Sequence, residues 1–313
     1  MKSNWEHNHS GIFARDLEET VRYYQSLGLA PVLPPAPRGP AFPAGRAVNI
    51  EFGQVVNNPS TPERPFLQLI YIGDLELEVL RAPTVRPEGE ALSYGEGINH
   101  ACFSVPDIDG ETQILVNKGL RIIQDFKLDG VRLEDYLDTR KYGNMLLSLR
   151  TLQTEEAKKR KAGNAIIDWK FQGHSAVVKD ADKTAEYYES LGIATTQPMS
   201  VFDSSTIDEV KVYGKSIKSQ IKAKIRKFQI STVVYELVQP VEGESIYKES
   251  LDMRGEGIID LTFKVDDLDR ETAKLVAKGV PVIFSGRPRK GNAFAYFDTR
   301  KNGGDAMIKL IQR

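Results

Sequence analysis

Two histidines are the residues best able to bind an ion. His9 and His100 each stand seven residues before an aspartate, Asp16 and Asp107, and each aspartate opens a stretch closing on Leu-Gly or Lys-Gly. A neutral imidazole is a ligand for first-row divalent metals, and two at matching positions of a repeated element can converge on one ion. The aspartates fit helix N-caps, whose carboxylates accept orphan backbone amides at a helix start. Each histidine therefore belongs to a strand that feeds directly into a helix.

The elements that carry these histidines are repeated. Residues 15–28, RDLEETVRYYQSLG, recur as KDADKTAEYYESLG at 179–192, an offset of 164. The runs Val105–Thr112 and Asp138–Lys141 recur as Val265–Thr272 and Asp298–Lys301, both at an offset of 160. Four units result, opening at His9-to-Asp16, His100-to-Asp107, Gly173-to-Asp180 and Asp260-to-Asp267. Runs such as 66–72, 75–80, 231–238 and 293–297 read as strands after the helices. The pattern predicts an α+β fold of four βαβββ units paired into two domains, 1–152 and 167–313. The Glu/Lys/Arg-rich residues 153–166 read as a linker, helical or flexible.

Composition bounds the rest. The 313 residues are 41% hydrophobic and 27% charged, which suits two globular domains and excludes a disulfide miniprotein or a coiled-coil rod. No apolar run is long enough for a membrane helix, so no membrane role is expected. A net charge of −1 gives no case for nucleic acid. The charge is uneven: residues 1–156 carry 15 − 22 = −7, and residues 157–313 carry 27 − 21 = +6. The basic stretch from Lys211 to Lys227 reads as a solvated strand face or a docking surface. The single cysteine, Cys102, and the lack of a secretory signal pattern at the start predict a cytoplasmic location.

The openings His9-Ser-Gly-Ile-Phe-Ala-Arg-Asp16 and Asn99-His-Ala-Cys-Phe-Ser-Val-Pro-Asp107, with Tyr235-Glu-Leu-Val-Gln-Pro240, resemble the vicinal oxygen chelate superfamily. Glyoxalase I, methylmalonyl-CoA epimerase, extradiol dioxygenases and bleomycin-resistance proteins belong to it. The resemblance implies that two units fold into one cupped sheet whose strands supply metal ligands. It assigns His9, Glu78 and His100 as ligands of one divalent ion (Fe, Zn, Mn, Co or Ni) and places Ser148 where a glutamate is usual. The matching positions of the second half are Gly173, Glu236, Asp260 and Lys309, a set implying that this half has lost its metal. His174 is expected to point away from the cup. By strand parity His7 and Glu76 are alternatives to His9 and Glu78. Cys102 either lines the cup or is a buried core thiol.

Two histidines and one carboxylate leave positions for a chelating small-molecule substrate. The expected chemistry is Lewis-acid stabilisation of an enolate by an isomerase, epimerase or lyase acting on a small oxygenated carbonyl compound. The epimerases' base position on the third strand reads as Gln68, which cannot take a proton. Glu51, Glu76 and Glu134 are the remaining candidate bases. An Fe(II)-dependent dioxygenase and a non-catalytic binding protein of the bleomycin-resistance kind are the alternatives, in a monomer or homodimer.

Overall fold

The computed structural model describes residues 4–32, 48–50, 67–81, 96–128, 131–289 and 292–312. The first half opens with β1 (Glu6–Ala14) and α1 (Leu17–Ser26), followed by β2 (Val48–Ile50), β3 (Leu67–Ile72) and β4 (Leu75–Arg81). Its second unit comprises β5 (Gly97–Val105), α2 (Ile108–Asn117), β6 (Ile122–Leu128), β7 (Val131–Leu137) and β8 (Leu146–Thr151). These strands form one sheet in the order β2-β6-β7-β8-β5-β1-β4-β3. The two strands that carry the histidines, β1 and β5, lie side by side and antiparallel near its middle.

A helix, α3 (Glu155–Gly163), lies within residues 153–166, as the helical alternative for that stretch had it, and is tied back to the first half. Lys158 pairs with Glu6 at 2.8 Å, and Lys161 Nζ donates to the Asn8 carbonyl at 2.8 Å. The third unit runs through β9 (Lys170–Val177), α4 (Ala181–Ser190), β10 (Thr195–Thr196), β11 (Ser200–Asp203), β12 (Ile207–Val212) and β13 (Lys215–Ser216). It continues with β14 (Lys222–Ile230), β15 (Val233–Glu242) and α5 (Ile246–Arg254). The last unit holds β16 (Gly257–Ile258), β17 (Asp260–Val265), α6 (Leu268–Ala277), β18 (Val282–Pro288), β19 (Phe294–Phe297) and β20 (Met307–Gln312). Here too the opening strands β9 and β17 are antiparallel neighbours. Asp16, Asp107, Asp180 and Asp267 each accept a backbone amide three residues on, as expected of N-caps.

Alternation along the strands separates two jobs. Leu75, Leu77 and Val79 of β4, Ala101 and Phe103 of β5, and Leu147 and Leu149 of β8 pack into a core. The residues between them, including Glu76, Glu78, His100, Cys102 and Ser148, face the other side of the same sheet. Helices α1, α2, α4 and α6 and one face of both sheets contribute to that single core, so the halves are not independently packed.

The halves meet by reciprocal contacts that follow the repeat. Tyr24 OH donates to the Gly303 carbonyl at 2.9 Å, and Tyr188 OH reaches the Thr139 and Met145 carbonyls at 3.2 and 3.1 Å. Lys118 Nζ donates to the Leu191 carbonyl and Lys278 Nζ to the Ser26 carbonyl, each at 2.8 Å. Ser10 Oγ meets His174 Nε2 at 3.0 Å, joining residues 164 apart that occupy equivalent positions. Among the described residues, the basic stretch forms its ion pairs within its own half. Lys222, Arg226 and Lys227 pair with Glu242, Asp182 and Glu236 of their own half.

Because the core is shared, urea unfolding followed by circular dichroism and by tryptophan fluorescence should show one coincident transition. Tyr24→Phe and Tyr188→Phe, which strip buried hydroxyls from this interface, should each lower stability by about 1–2 kcal/mol. Two separated transitions would contradict the shared core.

Candidate metal site

The site is built on adjacent strands. His9 of β1 faces Cys102 of β5 in the antiparallel register, and Gly11 faces His100. Gly11 also pairs with Glu78 of the parallel neighbour β4, while Cys102 pairs with Ser148 of β8. Gly11 is essential to the arrangement, since a Cβ there would lie 1.8 Å from His100 Cε1. The missing side chain lets the His100 ring lie across β1 and reach His9.

The three expected ligands converge. His9 Nε2 and His100 Nε2 are 3.2 Å apart, and Glu78 Oε2 lies 3.5 Å from the first and 3.8 Å from the second. Both rings are fully buried, and Glu78 Oε2 is a buried carboxylate oxygen with no hydrogen-bond partner. Two ring lone pairs and an orphaned carboxylate oxygen aimed at one point fit a divalent cation, since dry anionic groups require a counter-charge. Without an ion, a proton takes that place. Burial opposes charge on His9, but the neighbouring Cys102 sulfur and Glu78 carboxylate outweigh it and hold the imidazole well above its ordinary value. Burial and the neighbouring His9 charge push His100 down to about 3. Glu78, despite its burial, is drawn down to about 2 by His9.

Each ring is oriented by the residue before it. His9 Nδ1 donates to Asn8 Oδ1 at 2.9 Å and His100 Nδ1 to Asn99 Oδ1 at 2.7 Å, which turns both Nε2 atoms toward the site. Asn8 Nδ2 donates to Ser104 Oγ at 2.7 Å and so fixes its own amide. Sequence reasoning missed these asparagines, although the dipeptide Asn-His at 8–9 and 99–100 was a readable signal.

Glu134 of β7 also enters the cup. Its Oε1 accepts from Ser148 Oγ at 2.8 Å and lies 4.0 Å from His9 Nε2, while Arg150 Nη1 is 3.8 Å from its Oε2. A carboxylate from the next strand thus stands beside the serine. Tyr136 OH approaches His100 Nε2 at 3.3 Å. Glu76 shares the face of Glu78 and is buried, but belongs to neither group of converging donors found among the described residues, His9–Glu78–His100 and His9–Cys102–Glu134. Glu51 lies outside the described residues.

Two parity expectations are corrected. A bulge between His7 and His9 breaks the alternation, so His7 leaves the site and stacks on Phe171 at 5.1 Å. Gln68 is paired with Val79, a core-facing residue, so it does not face the cup; Leu69 is opposite Glu78 instead. His174 turns away from its cup toward Ser10, as expected.

With this geometry established, the comparisons can be placed. Residues 175–297 match the family model described as the glyoxalase/bleomycin resistance protein/dioxygenase superfamily. The fold of the whole chain is similar to a mutant of 4-hydroxymandelate synthase from Streptomyces coelicolor, at 13% identity and a TM-score of 0.64, covering 100% of this chain and 93% of that one. Residues 175–297 thus carry the match to this superfamily, and the whole chain shares the fold of that synthase. It is also similar to a xylose isomerase-like TIM barrel/4-hydroxyphenylpyruvate dioxygenase fusion protein, at 14% identity and a TM-score of 0.54. That match covers 98% of this chain and 49% of the fusion. No curated protein sequence matches.

The two cups differ sharply. In the second, Gly173 takes the place of His9 with φ +145°, and a Cβ there would lie 1.9 Å from the Val234 carbonyl oxygen. No ligand side chain fits. Lys309, in the register position of Ser148, donates from Nζ to Glu236 Oε1 at 2.6 Å and to Ser175 Oγ at 3.3 Å. An ammonium group therefore neutralises the counterpart of Glu78. Tyr247 of α5, Phe284, Phe294 and Tyr296 fill the space around it.

Elemental analysis should find about one divalent ion per chain, lost in His9→Ala and His100→Ala, while Gly11→Ala should weaken binding at least about tenfold by displacing a ligand ring. Lys309→Met should instead keep the ion and destabilise the fold by about 3 kcal/mol, because it leaves the buried Glu236 with Lys227 as its remaining ion-pair partner. Glu236 is held at about 2, chiefly by Lys309 against the cost of burial, below its ordinary 4.5. Its stabilisation is thus complete above pH 4.5 and lost as pH falls toward 2, and acid titration of Lys309→Met should lack that component.

Proposed function

We propose that the chain is a metal-dependent enzyme whose N-terminal cup moves a proton at the carbon beside a carbonyl, in an isomerisation, epimerisation or lysis of a small oxygenated compound. The observation that carries this reading is the placement of Glu134: a buried carboxylate outside the His9–Glu78–His100 set, yet 4.0 Å from His9 Nε2. A divalent ion held by His9, Glu78 and His100 supplies Lewis acidity to a chelated carbonyl and leaves positions for two substrate oxygens.

The chain's own residues do the rest. Ser148 holds Glu134 Oε1, leaving Oε2 to accept a proton from substrate and return it. Arg150 Nη1, 3.8 Å from Oε2, places a positive charge beside that carboxylate. Burial keeps the Tyr136 phenol protonated, so its hydroxyl is a donor for a substrate oxygen near His100. Leu69 on β3 and the aromatic rings around His100 limit water.

A second reading, an Fe(II)-dependent dioxygenase, is favoured by one observation. Both whole-chain fold matches carry 4-hydroxymandelate synthase or 4-hydroxyphenylpyruvate dioxygenase in their names, and two histidines with one carboxylate also suit Fe(II).

A panel of small 2-oxo and 2-hydroxy carbonyl compounds, incubated in D₂O with metal-loaded protein, separates the two. Deuterium should enter the α-carbon of a turned-over compound, and Glu134→Gln should slow this about 10²–10⁴-fold with metal content intact. Oxygen uptake in proportion to substrate, strictly dependent on Fe(II), would instead establish the oxygenase.

A further inference from the structure

Cys102 is not a bystander in this cup. It is completely buried on β5, opposite His9 in one neighbouring strand and Ser148 in the other. One donor atom each from His9, Cys102 and Glu134 lie within 4.8 Å of one another. The group His9–Glu78–His100 meets the same distance, and His9 is common to both. Glu134 is pre-set for the second group by the Ser148 hydroxyl. The unpartnered Glu78 Oε2, 3.5 Å from His9 Nε2, marks the shared region as one that lacks positive charge.

We propose that His9, Cys102 and Glu134 form a second ion position that overlaps the first, takes a thiophilic divalent cation such as Zn²⁺ or Cd²⁺, and excludes an ion from His9–Glu78–His100. The inference rests on the metal-site reading above. Since Nδ1 of His9 is committed to Asn8, only Nε2 can ligate, and one lone pair serves one ion at a time. Donor chemistry divides the positions. Two imidazoles and a carboxylate suit a borderline or harder ion, whereas a thiolate draws a soft one. A divalent ion on the second position meets one thiolate and one carboxylate, so its charge is balanced in place. The thiol proton leaves to solvent as the ion binds. Such an ion removes both a ligand of the first position and the proposed base Glu134, so thiophilic metals inactivate the cup rather than activate it.

The test uses the full chain, Mn²⁺ as the hard probe and Cd²⁺ as the thiophilic one. Mn²⁺ should bind at one per chain by electron paramagnetic resonance. Cd²⁺ should expel it in a 1:1 exchange and bring a thiolate-to-cadmium charge-transfer band in the ultraviolet. Cys102→Ser should still bind one Mn²⁺, lack the band and need at least about tenfold more Cd²⁺ for the exchange. X-ray absorption of the Cd²⁺-loaded wild type should show one sulfur neighbour, an observation that needs no variant. Exchange without a sulfur neighbour or a band overturns the second position but leaves the first intact. Simultaneous binding of both ions overturns the overlap. Failure of either ion to bind overturns this inference together with the metal-site reading.

Discussion

Two imidazole nitrogens 3.2 Å apart in a dry cup repel one another unless positive charge lies between or beside them. Much of the first half is arranged around that constraint. Asn8 and Asn99 turn the lone pairs inward, Gly11 clears the path for the His100 ring, and Glu78 brings an oxygen with no other partner. The second cup meets a related demand differently. There the equivalent glutamate, Glu236, faces the Lys309 ammonium, and aromatic side chains fill the remaining space. The buried carboxylate at this point of the duplicated sheet thus faces two imidazoles in one half and a covalently attached cation in the other.

The pleat makes that divergence possible. Successive residues of a strand face opposite sides, so the core face and the cup face of each sheet can change separately. Leu261 and Phe263 of β17 keep the packing role of Ala101 and Phe103, while Asp260 and Thr262 stand where His100 and Cys102 were. Asp260 Oδ1 accepts from the Ser175 amide and the Thr262 hydroxyl, while its Oδ2 is buried without a hydrogen-bond partner. Glycine plays opposite parts at two close positions. At 11 it admits a ligand from the neighbouring strand, and at 173 a close approach to Val234 bars any side chain at all.

How far this was legible from sequence follows from what each feature depends on. The four openings, the helix caps and the placement of His9, Glu78 and His100 on neighbouring strands depend on local pattern and constant offsets, which a repeat displays openly. The position of His7 does not, because a bulge of one residue reverses strand parity and leaves no mark in composition. Gln68 was misplaced for a similar reason: the register of β3 against β4 assigns it to the core face. The pairing of Ser148 with Glu134 needed the register of β7 against β8, which joins residues 14 apart across a turn. Nothing in the charged, apolar-poor residues 153–166 announces that Lys161 of α3 reaches the Asn8 carbonyl.

A last question is why a half without ligand geometry persists, and why it is the half that the superfamily model matches. Its strands and helices retain the apolar alternation and caps that define the fold, and these face the shared core rather than the cup. Fold resemblance and chemistry are therefore recorded on different sides of the same strands, and a chain can keep one while losing the other. The core also explains the retention. Without the second half, Ala101, Phe103, Tyr24 and Leu115 would lose packing partners in the one core that spans both halves, and their apolar surface would meet water at roughly 25 cal/mol per Å² exposed. Reciprocal bonds such as Lys118 to Leu191 and Lys278 to Ser26 fix how the halves sit on that core. The second cup is the far face of a domain whose near face packs against the first half.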